Sequence, residues 1–261
     1  MLLNDRQTEI VRMLRTRGVV TVEELVERFQ VSAQTIRRDI LCLSGEGLVR
    51  RFNGGALLPA TARNIDYGKR RDVNPEVKQL LAEMVAGYLP DGASVFMSLG
   101  TTIDAIAEAL RSHVGLRIIT NNINVVNELG ANDGCEVVMA SGAVRPTDLG
   151  VTGEETLSFL ELFHADFAVL SVGAVEPDGT LRDFDYHDCR VAQTMMKQSR
   201  EVLLVVDHSK FNRASLARVG HLREVHHLFT DRLAPPCIAK LGSELGVAIH
   251  SAAVLGLEPG P

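Results

Sequence analysis

The chain has 261 residues, 46% apolar and 23% charged, with a net charge of −6 at pH 7. These values lie near the globular average and exclude a disordered, collagen-like or low-complexity protein, and the length suits one large or two ordinary domains. The longest apolar runs, such as residues 202–206, fall far short of the ~18 residues that a membrane helix requires. The first ten residues contain Asp5 and no apolar stretch, so no signal peptide is expected and a cytoplasmic location is. Cys42, Cys135, Cys189 and Cys237 are scattered, without zinc-ligand spacing, as in a reducing compartment.

The net charge conceals an asymmetry. Residues 1–58 carry nine Arg, no Lys and seven acids, whereas the remaining 203 residues carry 18 basic and 26 acidic side chains. The basic part is small and uses only Arg, the side chain suited to bidentate phosphate and guanine contacts.

Ile10, Met13 and Leu14 mark the apolar face of a first helix, ended by Gly18, and Val19-Val20 make a short extended piece. Thr21 is placed to cap a second helix, with Glu23 and Glu24 in its favoured acidic first turn. Ser32 caps a third, whose Ile36, Ile40 and Leu43 point inward until Gly45 and Gly47 break it. Residues 48–59 read as a β-hairpin wing turning at Asn53-Gly54-Gly55.

On the third helix Gln34, Arg37 and Arg38 share the face opposite Ile36 and Ile40. Such a helix fits the major groove, where Arg reads guanine and Gln reads adenine. Ser32 and Thr35 stand at its positive end, where a backbone phosphate is held, and Arg50 and Arg51 lie on the wing. Residues 1–58 are therefore expected to bind double-stranded DNA.

Residues 59–75 are polar, bounded by Pro59 and Pro75, and read as a linker. From 76 to 261, strand candidates at 94–97, 116–120, 136–140, 167–172, 202–207, 227–230 and 247–250 alternate with helical patterns. Short apolar strands separated by helices indicate an α/β domain with a largely parallel sheet.

Polar groups follow these strands at one end. Ser98 precedes Gly100-Thr101-Thr102, where backbone N–H groups at a helix start and two hydroxyls suit an anion. Thr120-Asn121-Asn122, Ser141-Gly142 and Asp207-His208-Ser209-Lys210 follow other strands, and Lys210 supplies a countercharge for phosphate. Asp185, Tyr186, His187 and Asp188 suit a polyol. The eight His residues show no zinc spacing, and neither a metal nor a cofactor is assigned.

Val31-Ser32, Thr35-Ile36-Arg37-Arg38-Asp39 and Asn53-Gly54-Gly55-Ala56 make residues 6–56 resemble the winged helix-turn-helix of the DeoR family of bacterial repressors. The resemblance implies that the third helix enters the major groove; Asp39, which would repel phosphate there, is expected to orient a neighbouring Arg. Residues 76–250 resemble the family's sensor domain, through Gly100-Thr101-Thr102, Thr120-Asn121 and Asp207–Phe211. That implies a Rossmann-like domain related to ribose-5-phosphate isomerase. Residues 120–125, 184–187 and 205–211 are similar to segments of members that respond to glycerol 3-phosphate, which implies this ester as an inducer. Ser98 stands where the family usually has an acid, and Asp188 where Glu is common.

These readings make the chain a homo-oligomeric repressor, dimer or tetramer, released from its operator by a phosphorylated metabolite. No membrane partner is expected. Three alternatives stay open: a repressor that responds to another sugar phosphate, an activator, and an isomerase-like enzyme acting on sugar phosphates with Asp185, Asp188 or Asp207 as its base.

Overall fold

The structure is a computed structural model that describes residues 3–17, 19–46, 48–52, 54–57, 67–71, 73–211, 213 and 215–256. The chain divides into two units, 1–65 and 66–261.

The first unit contains α1 (Asp5–Arg17), β1 (Val19–Thr21), α2 (Val22–Phe29), α3 (Ala33–Gly45), β2 (Arg50–Phe52) and β3 (Gly55–Leu57). Thr21 closes a capping box with Glu24, and Ser32 Oγ accepts from the Thr35 amide. Each cap satisfies amides that the first helical turn leaves open, worth ~1 kcal/mol. Gln30 adopts the left-handed conformation (φ 52°) that ends α2 and turns the chain into α3. Ile10, Leu14, Leu25, Ile36 and Leu43 fill the core. The wing is larger than a hairpin, because β1 pairs with β3 in an antiparallel sheet ordered β1-β3-β2. Helix α3 continues through Gly45; Gly18, Gly47 and the turn residue Asn53 lie outside the described residues. Asp39 is buried and accepts from Arg6 Nε (2.6 Å) and Gln7 Nε2 (3.1 Å), so the arginine it orients comes from α1 rather than from its own helix.

The second unit begins with α4 (Tyr67–Arg71), a helix within the segment read above as linker, and α5 (Pro75–Tyr88). There follow β4 (Ser94–Met97), α6 (Thr101–Ala109), β5 (Leu116–Thr120), α7 (Ile123–Leu129), β6 (Cys135–Met139), β7 (Ala143–Arg145), β8 (Gly150–Thr152) and α8 (Glu154–Leu160). The chain continues through β9 (Ala165–Leu170), β10 (Ala174–Val175), β11 (Thr180–Asp183), α9 (Tyr186–Lys197), β12 (Ser199–Val205), β13 (Ala217–His221), β14 (His227–Thr230), α10 (Pro236–Leu245), β15 (Ala248–Ser251) and α11 (Ala252–Leu255).

Seven strands form one parallel sheet ordered β15-β14-β12-β9-β4-β5-β6, a Rossmann-like layout. Alternation along the strands builds two cores. Val95, Met97, Val169, Leu203 and Val205 face one way, packed with α5, α6 and α7. Phe96, Ala168, Leu170, Leu204 and Leu228 face the other, with α8, α9 and α10. Each fully buried large side chain contributes ~1.5–3 kcal/mol. No described helix is long and apolar enough to cross a membrane.

Two features were not expected from the sequence. One is the β7–β8 hairpin; the other is a small antiparallel sheet, β10-β11-β13, which extends from the rim where β9 and β12 end. Gly142, just before the hairpin, has φ +141°, and a Cβ there would lie 2.2 Å from Thr156 Oγ1 and 2.9 Å from the Thr152 carbonyl. The packing of this turn on α8 thus accounts for the glycine. Gly142→Ala is expected to destabilise the second unit by ~2 kcal/mol or more, read as a lowered thermal midpoint.

Candidate DNA-reading face and effector site

The 3.6-residue period of α3 sends Ile36, Ile40 and Leu43 into the core and leaves Gln34, Arg37 and Arg38 exposed on one face. Among the described residues neither guanidinium has an ion-pair partner, so both remain available to base edges or phosphates. Ser32 and Thr35 share a hydroxyl contact (2.9 Å) at the helix start. Arg51 is exposed on β2, while the side chain of Arg50 on the same strand lies outside the described set.

In the second unit, β4 leads outward to β5 and β6, whereas β9 returns to the other side of β4. The order of the parallel sheet therefore reverses between β4 and β9. A crevice outside the carboxyl ends of the strands opens at such a point. The β4 exit is Ser98-Leu99-Gly100, and the β9 exit begins with Ser171. Gly100 (φ +137°) starts α6 without a side-chain cap, which leaves the first amides of the helix for an anion. Thr101 is half-buried and Thr102 buried.

A cavity of about 30 Å³ lies there, lined by Ser98, Asn121, Ser171, Asp183 and Asp188 among others. It has room for about one or two groups the size of water. Ser98 Oγ and Asn121 Oδ1 are buried without a described partner, and an unmet polar atom in a closed site costs ~1–3 kcal/mol. Asp183 accepts from the amides of Gly173 (3.1 Å) and Phe184 (2.7 Å), and burial pushes its carboxyl up.

Four cations gather beside these acids. Burial pushes the Lys210 ammonium down, against the pull of Asp207, with Arg213 and Arg70 adding repulsion. Burial also opposes the charged form of Asp207, but Lys210 and the Ser209 amide (2.8 Å) hold its carboxyl below the ordinary range. Lys78 is buried; desolvation, then Lys210, take its ammonium down to about 8. Its Nζ donates to the carbonyls of Arg70 and Arg71 at the end of α4. Arg213 is lowered by burial and stacks on Phe184, its guanidinium carbon 4.7 Å from the ring centre. Arg70 Nε is buried without a described partner. Lys210 alone was anticipated here. Lys78 had one local signal: it occupies the apolar stripe of α5 with Leu81, Ala82 and Val85.

A second cluster centres on Arg145 of β7. It reaches Asp148 (2.8 and 2.7 Å), Asp185 (2.9 Å) and Asp188 (2.9 Å), which joins the hairpin to the start of α9. Burial pushes Asp188 up to about 6 although Arg145 opposes the shift. Asp185 also caps α9 through the His187 amide (2.8 Å). Tyr186 and His187 are exposed in that first turn, and Ser141 is exposed at the sheet edge. Thr120 is fully buried; its hydroxyl donates to the Met97 carbonyl and accepts from the Asn122 amide. Asn122 donates to Asp104 Oδ1 (3.0 Å) and the Ser98 carbonyl (3.4 Å). Thr120 and Asn122 are thus engaged within the fold, while Asn121, Asp183 and Asp188 line the cavity.

Residues 6–62 match the DeoR-like helix-turn-helix domain, and residues 73–232 match the DeoR C terminal sensor domain. The chain belongs to the DeoR family. This DeoR-family regulator is 41% identical to the glycerol-3-phosphate regulon repressor of Escherichia coli (strain K12) over 234 residues, 90% of this chain and 92% of that one. It is 43% identical to the glycerol-3-phosphate regulon repressor of Haemophilus influenzae, over 86% of this chain and 88% of the other. The regulator is accordingly a DNA-binding transcriptional repressor. Among solved structures, the ribose 5-phosphate isomerase of Methanocaldococcus jannaschii matches 53% of this chain and 55% of that one, with a TM-score of 0.41 and 14% identity. That likeness is too distant to carry a functional reading.

Proposed function

We propose that the second unit of this DeoR-family repressor binds glycerol 3-phosphate at the β4/β9 crevice, and that binding releases α3 from operator DNA. The observation that carries the reading is the convergence of Arg70, Lys78, Lys210 and Arg213 beside an uncapped helix start and a cavity with unmet polar atoms. Arg70, Lys78, Lys210 and Arg213 face Asp104, Asp183 and Asp207, and burial pushes the Asp104 and Asp183 carboxyls up toward their neutral forms, which favours a phosphate dianion beside the cations. Ser98, Asn121, Asp183 and Asp188, which line the small cavity, then bond a hydroxyl group of the ester. The two relatives named as glycerol-3-phosphate regulon repressors support this choice of ester. The repressor acts as a homo-oligomer, because one small reading head makes too few contacts for operator affinity.

Calorimetry with glycerol 3-phosphate, glycerol and fructose 1-phosphate tests the reading. Glycerol 3-phosphate is expected to bind at least 100-fold more tightly than glycerol; equal binding of the two refutes the anion site. A pH dependence follows from Lys78. Its ammonium loses its proton above about pH 8 in the free protein. A bound phosphate favours the charged form, so binding takes up a proton. Affinity is therefore expected to fall by up to ~tenfold per pH unit above 8. Calorimetry in buffers of different ionisation enthalpy reads that proton.

A further inference from the structure

Helix α4 begins at Tyr67, two residues beyond the end of the first unit, and so opens the second unit on the chain that joins it to the head. A five-residue helix has no stability of its own. It is held by groups that also build the effector site. Tyr67 Oη donates to Asp104 Oδ2, in the first turn of α6 whose start is the anion cradle. Asn124 Nδ2 donates to the same phenol oxygen (2.9 Å) and to the Asp148 carbonyl (3.2 Å). Asn122 Nδ2 holds the other oxygen of Asp104, and its own Oδ1 accepts from the Asn124 amide (3.0 Å). The Arg70 guanidinium carbon lies 5.3 Å from the Tyr67 ring centre, and Lys78 closes the far end of α4.

We propose that Tyr67 is the positioning residue that couples the effector site to the chain leading to the DNA reader. Its hydroxyl is taken up by Asp104 and Asn124, and so fixes α4 to the first turn of α6. An anion that loads this turn changes what Asp104 and Arg70 contact, and with them the hold on α4. The same web continues through Asn124 and Asp148 to Arg145, so the polyol side of the site bears on it as well. The inference rests on the effector reading above but concerns a side chain outside the ligand contacts.

The test uses the full-length protein with Tyr67→Phe, which removes one oxygen from a half-buried ring. Operator affinity is measured on a wild-type-selected fragment, with and without saturating glycerol 3-phosphate. The ratio of the two is the coupling. The expected result is a coupling ratio lowered at least fivefold, with ligand affinity of the DNA-free protein within threefold of wild type. Hydrogen exchange in residues 67–71 of the ligand-free protein is expected to rise about tenfold, with α3 unchanged. Asn124→Ala, which removes one bond to the phenol oxygen, is expected to move both readouts the same way. A coupling ratio within twofold of wild type, or unchanged exchange in α4, overturns the proposal. If glycerol 3-phosphate fails to release the wild-type protein, the choice of effector is wrong. The exchange measurement needs no ligand and then still decides whether Tyr67 holds α4.

Discussion

Replacing Arg37 and Arg38 together with Ala is expected to abolish sequence-specific operator binding while leaving effector binding unchanged. Both guanidiniums project from the exposed face of α3, and neither supports the core, which Ile36, Ile40 and Leu43 fill from the opposite face. A bidentate Arg–guanine contact discriminates by ~1–3 kcal/mol, so the pair accounts for roughly 30-fold to 10⁴-fold in specific affinity. Residual binding is expected to be the sequence-independent electrostatic kind, with a shallower salt dependence. The thermal midpoint stays within a few degrees, because both side chains are exposed. Anisotropy titrations on specific and scrambled fragments read the effect. A double variant that keeps its preference for the specific fragment refutes the assignment of this face.

Lys210→Ala is expected to weaken glycerol 3-phosphate binding by at least 100-fold and to prevent the ester from releasing DNA. Removing one partner of a buried charged contact typically costs ~2–5 kcal/mol. The same change removes the charge that does most to keep the buried Asp207 carboxylate ionised, so stability also falls. The two effects separate in Lys210→Met combined with Asp207→Asn, which removes both charges. That double variant is expected to recover most of the stability and none of the ligand response. Operator affinity without ligand is expected to match wild type in both variants. Full release of either variant by glycerol 3-phosphate at wild-type concentration places the phosphate elsewhere.

The reading head was legible almost residue by residue, because its signals are local. Thr21 and Ser32 cap the helices they precede, and the spacing of Ile36, Ile40 and Leu43 leaves Gln34, Arg37 and Arg38 outside. Apolar runs placed the seven parallel strands within a few residues of their observed limits. Asp39 shows where local reading stops: its charge called for an arginine partner, but only the packing of α1 on α3 makes that partner Arg6. Thr120 and Gly142 have the residue types of a ligand loop, yet contacts within the fold account for both. Tyr67 and Arg70 lay in a stretch whose polarity read as linker, and a helix this short leaves no periodic trace.

The sequence alone marked a two-part organisation, the exposed face of α3 that carries Gln34, Arg37 and Arg38, and the strand exit at Gly100, since all three depend on neighbours within about ten residues. Only the tertiary structure decided which groups gather at the proposed effector site. Arg70, Lys78, Lys210 and Arg213 come from α4, α5 and the segment after β12, and the sheet brings them to one rim. Strand order sets that convergence and places the reversal between β4 and β9. It is fixed by packing across both faces of the sheet, to which residues far apart in the chain contribute together.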